Sequence, residues 1–394
     1  MEIGILSNSY PAYQGHFQSP FIHNLAKALA FRGHRVKVVC PYYGKFSKKR
    51  ETIDNVEIIR FQYFPIKFQR LTEGGGMPSA LKSSFIAKIN MPFFIMSSIL
   101  TSIKELRKCD LIHCQWALSG IPGIFIKFLF RKPMIVTTRG AEFDLAMKNF
   151  LFKIVLRYVL KNCNFITPNN ESHVEVIKKF GIPKEKILPI PNGIDLEYFK
   201  PRNKRELRKK LRLPLDKKIV LFVGWLIERK GVNYLLDVAT MFDDNILFLI
   251  IGSGASEENL KMYARNLNLK EKVKFLGAKN SEEIPYWMNV ADVFVLPSLS
   301  EGRPNVVAEA ASSGLPVIAT RVDGTPELID DQRTGFLITP RSTKELYERL
   351  KLLLENNDLR NKTGKNARQF ILKLGYTWDK CADDYIKVYK RFVN

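Results

Sequence analysis

The sequence predicts an α/β chain of two domains, each an open parallel sheet covered by helices on both faces. Short apolar runs alternate with helical patterns from one end to the other, which is how parallel sheets with crossover helices read. The runs fall into two sets, and the charged, aperiodic stretch Lys200-Pro201-Arg202-Asn203-Lys204-Arg205 lies between them as a linker. Several runs lead through glycine-containing loops into helix starts, where free backbone N–H groups and the helix dipole favour an anion.

In order, the first set of strands is 3–7, 35–40, 56–61, 111–113, 134–137, 165–167 and 187–190. The second is 219–223, 246–251, 273–276, 293–296, 317–320 and 336–339. Each is short and mainly apolar, as the strands of a covered parallel sheet are. Domains are accordingly expected over 1–199 and 200–375, with a last helical segment, 376–394, carrying Trp378, Tyr385 and Tyr389 on helical spacing. The loop 71–78, with Gly74-Gly75-Gly76, is expected to be mobile.

At 394 residues and 46% hydrophobic, the chain is long and apolar enough for two cores. Its five cysteines have neither paired nor metal-ligand spacing, and no Asp-x-Asp occurs, so reduced thiols, no metal and no cofactor are expected. A strand pattern opens the chain where an export signal would lie, and the longest apolar stretches, 91–103 and 118–130, fall short of the roughly 20 residues a spanning helix needs. A cytoplasmic location is expected. The formal charge is +23, and residues 1–200 carry +15 of it, 29 Lys and Arg against 14 Asp and Glu. That bias points to an anionic partner, either a lipid surface or a phosphorylated acceptor. Helical patterns over 121–132 and 150–161 mix aromatic and aliphatic residues with lysine and arginine, which fits both a basic sheet-covering helix and a peripheral membrane helix. No nucleic-acid-binding motif accompanies the charge, and no nucleic-acid partner is expected.

The densest signal runs from Ser300-Glu301-Gly302-Arg303-Pro304-Asn305-Val306 through Glu309 to Gly314-Leu315-Pro316 and Gly324-Thr325-Pro326-Glu327. A strand, a loop and a helix start place Glu301 in the loop and Glu309 about two turns into the helix, where they can serve two parts of one elongated ligand. Alone, such a pair also fits two solvated glutamates. This block resembles the E-x7-E signature of the family 4 (group 1) retaining glycosyltransferases, and the resemblance extends over nearly the whole chain. It implies the GT-B fold, two Rossmann-like domains facing each other across an interdomain cleft, with the last helix crossing back to the first domain. The pattern of that helix also fits a cap on its own domain.

The resemblance also assigns roles. Glu301 would contact the donor sugar and Glu309 the ribose hydroxyls, with Asn305 and Val306 at the helix start. Gly224-Trp225-Leu226-Ile227-Glu228-Arg229-Lys230-Gly231 follows a strand, and the family's phosphate-binding lysine maps onto Lys230, with Arg229 beside it. Trp225 stands where the family often has arginine. Gly252 and Gly254 would let a base or ribose approach, and Gly324 would offer a backbone N–H. In the first half, Gly15 is what remains of a glycine-rich loop, with His16 next to it. Arg139 replaces a histidine of the segment Thr-x-His-Gly-x-Asp, close to Glu142. Arginine cannot serve as a base near neutral pH but can stabilise a leaving diphosphate. His113 is a substitute for that histidine or a structural residue, and Asn192, in Pro191-Asn192-Gly193, is a hinge or a lining residue.

The resemblance thus implies a metal-independent, retaining glycosyltransferase of hexosyltransferase type. Its donor would be a nucleotide sugar and its acceptor a glycan or lipid-linked intermediate. A non-hydrolysing sugar-nucleotide epimerase shares the architecture, and the Arg139 and Trp225 departures also suit a non-catalytic sugar-nucleotide-binding subunit.

Overall fold

A computed structural model describes residues 1–72, 77, 80, 81 and 84–393; the expected mobile loop 71–78 lies largely outside them. The chain forms two compact units: Met1–Gly193 together with Trp378–Asn394, and Ile194–Thr377.

Among the described residues the first unit holds seven strands: β1 Glu2–Ser7, β2 Arg35–Pro41, β3 Arg50–Ile53, β4 Val56–Phe61, β5 Leu111–Gln115, β6 Met134–Thr138 and β7 Phe165–Pro168. Their order is β3-β4-β2-β1-β5-β6-β7, parallel throughout except for β3, which pairs antiparallel with β4. β3 is an addition to the expected set. Its sequence, Arg-Glu-Thr-Ile, is polar because it is an exposed edge strand, and its signal is Asp54-Asn55, whose positive φ angles of 51° and 63° make the tight hairpin turn. The expected strand 187–190 is corrected to an extended edge segment. Leu188 and Ile190 donate to the Ile166 and Pro168 carbonyls of β7, but only a single bridge, Ile187 to Ile166, is formed.

Side chains of the first sheet alternate between two cores. Ile3 and Ile5 join a cluster with the helices Pro20–Phe31 and Trp378–Tyr389, whereas Leu6 joins one beneath the helices Phe85–Leu106, Gly120–Phe130 and Phe150–Asn162. The last helix is therefore a layer of the first unit. Tyr385 and Tyr389 are fully buried in it, and Arg32 binds both Asp379 and Asp383. The apolar run 91–103 is the middle of the 22-residue helix Phe85–Leu106, long and apolar enough by composition to cross a membrane. Its stripe of Ala87, Phe94, Ser98, Ser102 and Leu106 is instead buried against the sheet.

The second unit carries β8 Lys218–Val223, β9 Ile246–Ile251, β10 Val273–Phe275, β11 Val293–Leu296, β12 Val317–Thr320 and β13 Gly335–Ile338. All are parallel, in the order β10-β9-β8-β11-β12-β13, around one continuous core.

Candidate functional site

β8 and β11 are neighbours, while β9 and β12, which follow them in sequence, lie on opposite sides. The strand order thus reverses between β8 and β11, and at such a switch point the loops leaving the carboxyl ends diverge and open a crevice. The loop after β8 contains Lys230 and the loop after β11 contains Glu301.

Each loop is fixed by backbone. Gly224 N–H donates to Ile251 O at 3.0 Å and Leu226 N–H to Ser253 O at 2.8 Å, so the loops after β8 and β9 run side by side. A Cβ on Gly252, at φ 143°, would sit 1.8 Å from the Gly224 carbonyl oxygen, and one on Gly254 2.5 Å from that of Leu226. Loop contact alone therefore demands glycine at both. The turn Glu228–Lys230 ends at Gly231, φ 63°, where a Cβ would meet Pro297 O at 2.2 Å. This close approach delivers Lys230 to the end of β11.

Lys230 Nζ lies 2.5 Å from Glu301 Oε1, with side chains 11% and 6% exposed. The Ser298 hydroxyl donates to the same oxygen at 2.6 Å, and the Glu301 N–H donates to Asp323 Oδ2 at 2.7 Å. The Arg229 guanidinium donates to Ser300 O at 3.1 Å, and its carbonyl accepts from Leu299 N–H at 2.7 Å. Burial pushes the Glu301 carboxyl up, but Lys230 and Arg229, helped by the hydrogen bonds, bring it below its ordinary value. Burial pulls the Lys230 ammonium down against the attraction of Glu301. The pair is ionised at neutral pH, because the carboxylate has two donors at one oxygen and is attracted by both Lys230 and Arg229.

The helix Asn305–Ser312 follows, with Asn305 and Val306 half-buried at its start and no side chain capping it. Glu309 is half-buried on this helix, and burial alone raises its carboxyl to about 7. The Gly324 N–H donates to Gly302 O at 2.9 Å, so Gly324 fastens the turn to the Glu301 loop. Arg303 stacks over Tyr376 at 4.4 Å and lies 3.4 Å from Glu327. Lys230, Arg229, Gly252, Gly254, Glu301, Asn305, Val306, Glu309 and Gly324 thus all lie in the second unit. Ser298 and Asp323, which brace Glu301, were not singled out in the sequence; Ser298 closes β11, and Asp323 has the positive φ of a turn, 42°.

The remaining candidates lie in the first unit. Arg139 is buried at the end of β6, stacked 4.4 Å over Phe21 and 5.7 Å from Trp116. It donates to Asn192 Oδ1 at 2.9 Å and to Gln115 Oε1 at 2.5 Å. Burial lowers its pKa, and burial raises that of Glu142, whose carboxylate accepts from the Arg139 N–H at 3.1 Å. Gln115, Trp116 and Phe21 escaped sequence reading because they come from other elements. Gly15 has φ 82° in the loop after β1, and His16 stacks against Tyr13 and Phe17 with its pKa lowered by burial.

Of the two readings of His113, the structure supports the structural one. It is fully buried, with Nδ1 2.7 Å from the Tyr389 hydroxyl and Nε2 2.7 Å from that of Thr137, and burial takes its pKa down to about 3. It is a neutral imidazole that ties the last helix to β5 and β6.

Residues 203–370 match the family model of the group 1 glycosyl transferases, and residues 18–198 that of glycosyltransferase family 4. The chain is 33% identical over 311 residues to the UDP-Gal:alpha-D-GlcNAc-diphosphoundecaprenol alpha-1,3-galactosyltransferase of Escherichia coli, covering 74% of this chain and 79% of that protein. It is 29% identical over 409 residues to the N,N'-diacetylbacillosaminyl-diphospho-undecaprenol alpha-1,3-N-acetylgalactosaminyltransferase of Campylobacter jejuni, covering 100% and 99%. Among solved structures, the sucrose-phosphate synthase of Thermosynechococcus elongatus superposes with a TM-score of 0.84 at 22% identity, covering 99% of each chain. The fold is GT-B and the protein is a glycosyltransferase. It belongs to family 4 of these enzymes, which sets aside the epimerase and binding-subunit readings.

Proposed function

We propose that the protein is a retaining hexosyltransferase that moves a sugar from a nucleoside-diphosphate donor, bound by the second unit, to a lipid-linked or glycan acceptor, bound by the first. The observation that carries this reading is the buried Lys230–Glu301 pair at the switch point of the second sheet. A nucleotide sugar offers both members a partner: the diphosphate suits Lys230 and Arg229, and the sugar hydroxyls suit Glu301. The helix start at Asn305 adds a positive dipole end, and Glu309 on the same helix suits the ribose hydroxyls. For the acceptor, the support is that both relatives are named for diphospho-undecaprenol-linked sugars.

In the step itself, the C1–O bond to the diphosphate breaks while the acceptor oxygen bonds to C1 from the same face. The acceptor proton passes to an oxygen of the departing diphosphate. This chemistry asks the protein for position and charge stabilisation, not for a base. Lys230 and Arg229 supply the charge at the donor, with no metal called upon. Arg139, a buried cation held by neutral amides, would add stabilisation for the acceptor phosphate or the leaving group. The site lies in the cytoplasm on this reading, where nucleotide sugars are made.

Thermal melting with a panel of nucleoside diphosphates and their sugars tests the donor site. One base is expected to raise the melting temperature in the wild type and in neither Lys230→Ala nor Glu309→Ala. With that donor, the product from a diphospho-lipid acceptor is expected to keep the donor's anomeric configuration by NMR and to form at an unchanged rate in EDTA. Inversion, or loss of activity restored by magnesium, would overturn the mechanism; no shift with any nucleotide would overturn the site.

A further inference from the structure

The helices Phe85–Leu106, Gly120–Phe130 and Phe150–Asn162 lie side by side over one face of the first sheet. Among the described residues they carry thirteen of the 26 exposed large apolar side chains, on 46 of 394 residues. Met96, Leu100, Phe128, Leu129, Phe150 and Leu151 are 57 to 74% exposed. The opposite face of the same sheet, under Pro20–Phe31 and Trp378–Tyr389, contributes only Phe31. An apolar surface so concentrated on one layer calls for a covering partner.

Charge identifies the partner. Lys88, Lys153 and Arg157 are exposed among these apolar residues. The one acidic residue on the three helices is Glu105, which is 14% exposed and paired with Arg50 at 3.0 Å. Where Gly120–Phe130 ends, Lys127, Phe128, Arg131, Lys132, Pro133 and Asn164 line a shallow hollow of about 380 Å³, three cations beside an exposed aromatic ring. Lys127 Nζ donates to Asn162 O at 2.5 Å, which ties this hollow to the third helix. A second copy of the chain would set cations against cations, and a protein interface would not put lysines through its apolar centre. Apolar side chains that enter acyl chains, among cations level with anionic headgroups, are what an interfacial helix presents.

We propose that this three-helix face seats the protein on an anionic lipid bilayer, with the hollow at Lys127, Arg131 and Lys132 taking a lipid phosphate. The face lies outside every residue assigned to the donor site, so the proposal stands apart from the donor-site reading. It does make sense of a lipid-linked acceptor, which would then be met at the membrane surface.

The test is co-sedimentation of the full chain with vesicles, without nucleotide or acceptor. Wild type is expected to bind phosphatidylcholine vesicles containing phosphatidylglycerol at least tenfold more tightly than phosphatidylcholine alone, and to be released by high salt. Phe128→Glu/Leu151→Glu and Arg131→Glu/Lys132→Glu are each expected to weaken binding about tenfold, with the melting temperature of the wild type retained. Free inorganic diphosphate at millimolar concentration is expected to leave vesicle binding unchanged. Equal binding to neutral and anionic vesicles, or none at low salt, overturns the proposal without any variant. Competition by diphosphate reassigns the hollow to a soluble phosphate. A dimer in solution that Phe128→Glu disperses reassigns the face to a second copy.

Discussion

Removing either partner of the Lys230–Glu301 pair should destabilise the protein far more than removing both. The side chains are 2.5 Å apart and nearly buried, and in Lys230→Ala the Glu301 carboxylate keeps only the Ser298 hydroxyl and the more distant Arg229. Breaking a buried pair from one side costs about 3–5 kcal/mol, because the charge left behind has lost its solvent and its partner. Ser298 and Arg229 place Lys230→Ala at the lower end, about 3 kcal/mol, and Glu301→Leu, which strands the lysine, at a similar value. Replacing both, Lys230→Met with Glu301→Leu, should cost about 1 kcal/mol or less, a coupling of several kcal/mol.

The pH dependence sharpens the test. In the wild type the Glu301 pKa is depressed, so its contribution is present above the unfolded value and is lost only as pH falls through the folded one. Without Lys230, burial dominates and raises that pKa. The variant should then lose stability as pH rises from about 5 to 8, where the Glu301 contribution in the wild type is constant. Urea unfolding followed by tryptophan fluorescence measures this, since Trp225 and Trp287 both lie in the second unit. Single-variant costs below about 1 kcal/mol, or a double variant as costly as the sum of the singles, would refute a buried, ionised pair.

Burial raises the Glu309 carboxyl to about 7, so the folded state favours its neutral form, and this contribution is complete below the unfolded pKa and lost as pH rises through 7. Relative to wild type, Glu309→Gln should gain about 2 kcal/mol between pH 5 and 8, a figure discounted for partial exposure; parallel unfolding curves for the two would contradict it. Gly252→Ala drives a Cβ to 1.8 Å from a backbone oxygen and should cost about 3 kcal/mol or more, while Gly33→Ala, at φ 80° with open space around it, should cost about 1 kcal/mol. Near-equal melting temperatures for these two variants would show that the loops after β8 and β9 separate freely. Tyr389→Phe removes the partner of His113 Nδ1 inside the first core and should cost about 1–3 kcal/mol in thermal unfolding; a neutral result would mean that the last helix is held by packing alone.

Local chemistry was legible wherever the residues that enforce it are adjacent. Strands buried on both faces read as apolar runs, and five of the six strands of the second sheet lie in such runs; the sixth, β10, is at the sheet edge and carries the exposed Lys274. Glycines stand where backbones meet, as at Gly231 and Gly252, and their placement alone marks the loops after β8 and β9. β3 was not legible, because a solvated edge strand needs no apolar run, and its turn was the only sign of it. The segment 187–190 misled for the opposite reason: it is apolar because it packs beside β7, without joining the ladder.

The family, the fold class and the identities of the charged residues were in the sequence by itself, since they rest on short motifs and on periodicity. Tertiary structure decided which of those residues meet. Lys230 and Glu301 are 71 positions apart and form a pair only because β8 and β11 are neighbours. The sequence left His113 as either a substitute for the missing histidine or a structural residue, and the fold decided by sealing it under Tyr389 and Thr137, 276 and 24 residues away. Likewise, an apolar helix reads the same in sequence whether its outer face is covered or bare. Only the packing of Phe85–Leu106, Gly120–Phe130 and Phe150–Asn162 into one layer shows which of their apolar side chains the core leaves exposed. Sequence encodes each residue's chemistry, but burial and partnership belong to pairs of residues, and those pairs exist only once the chain has closed long loops to bring them together.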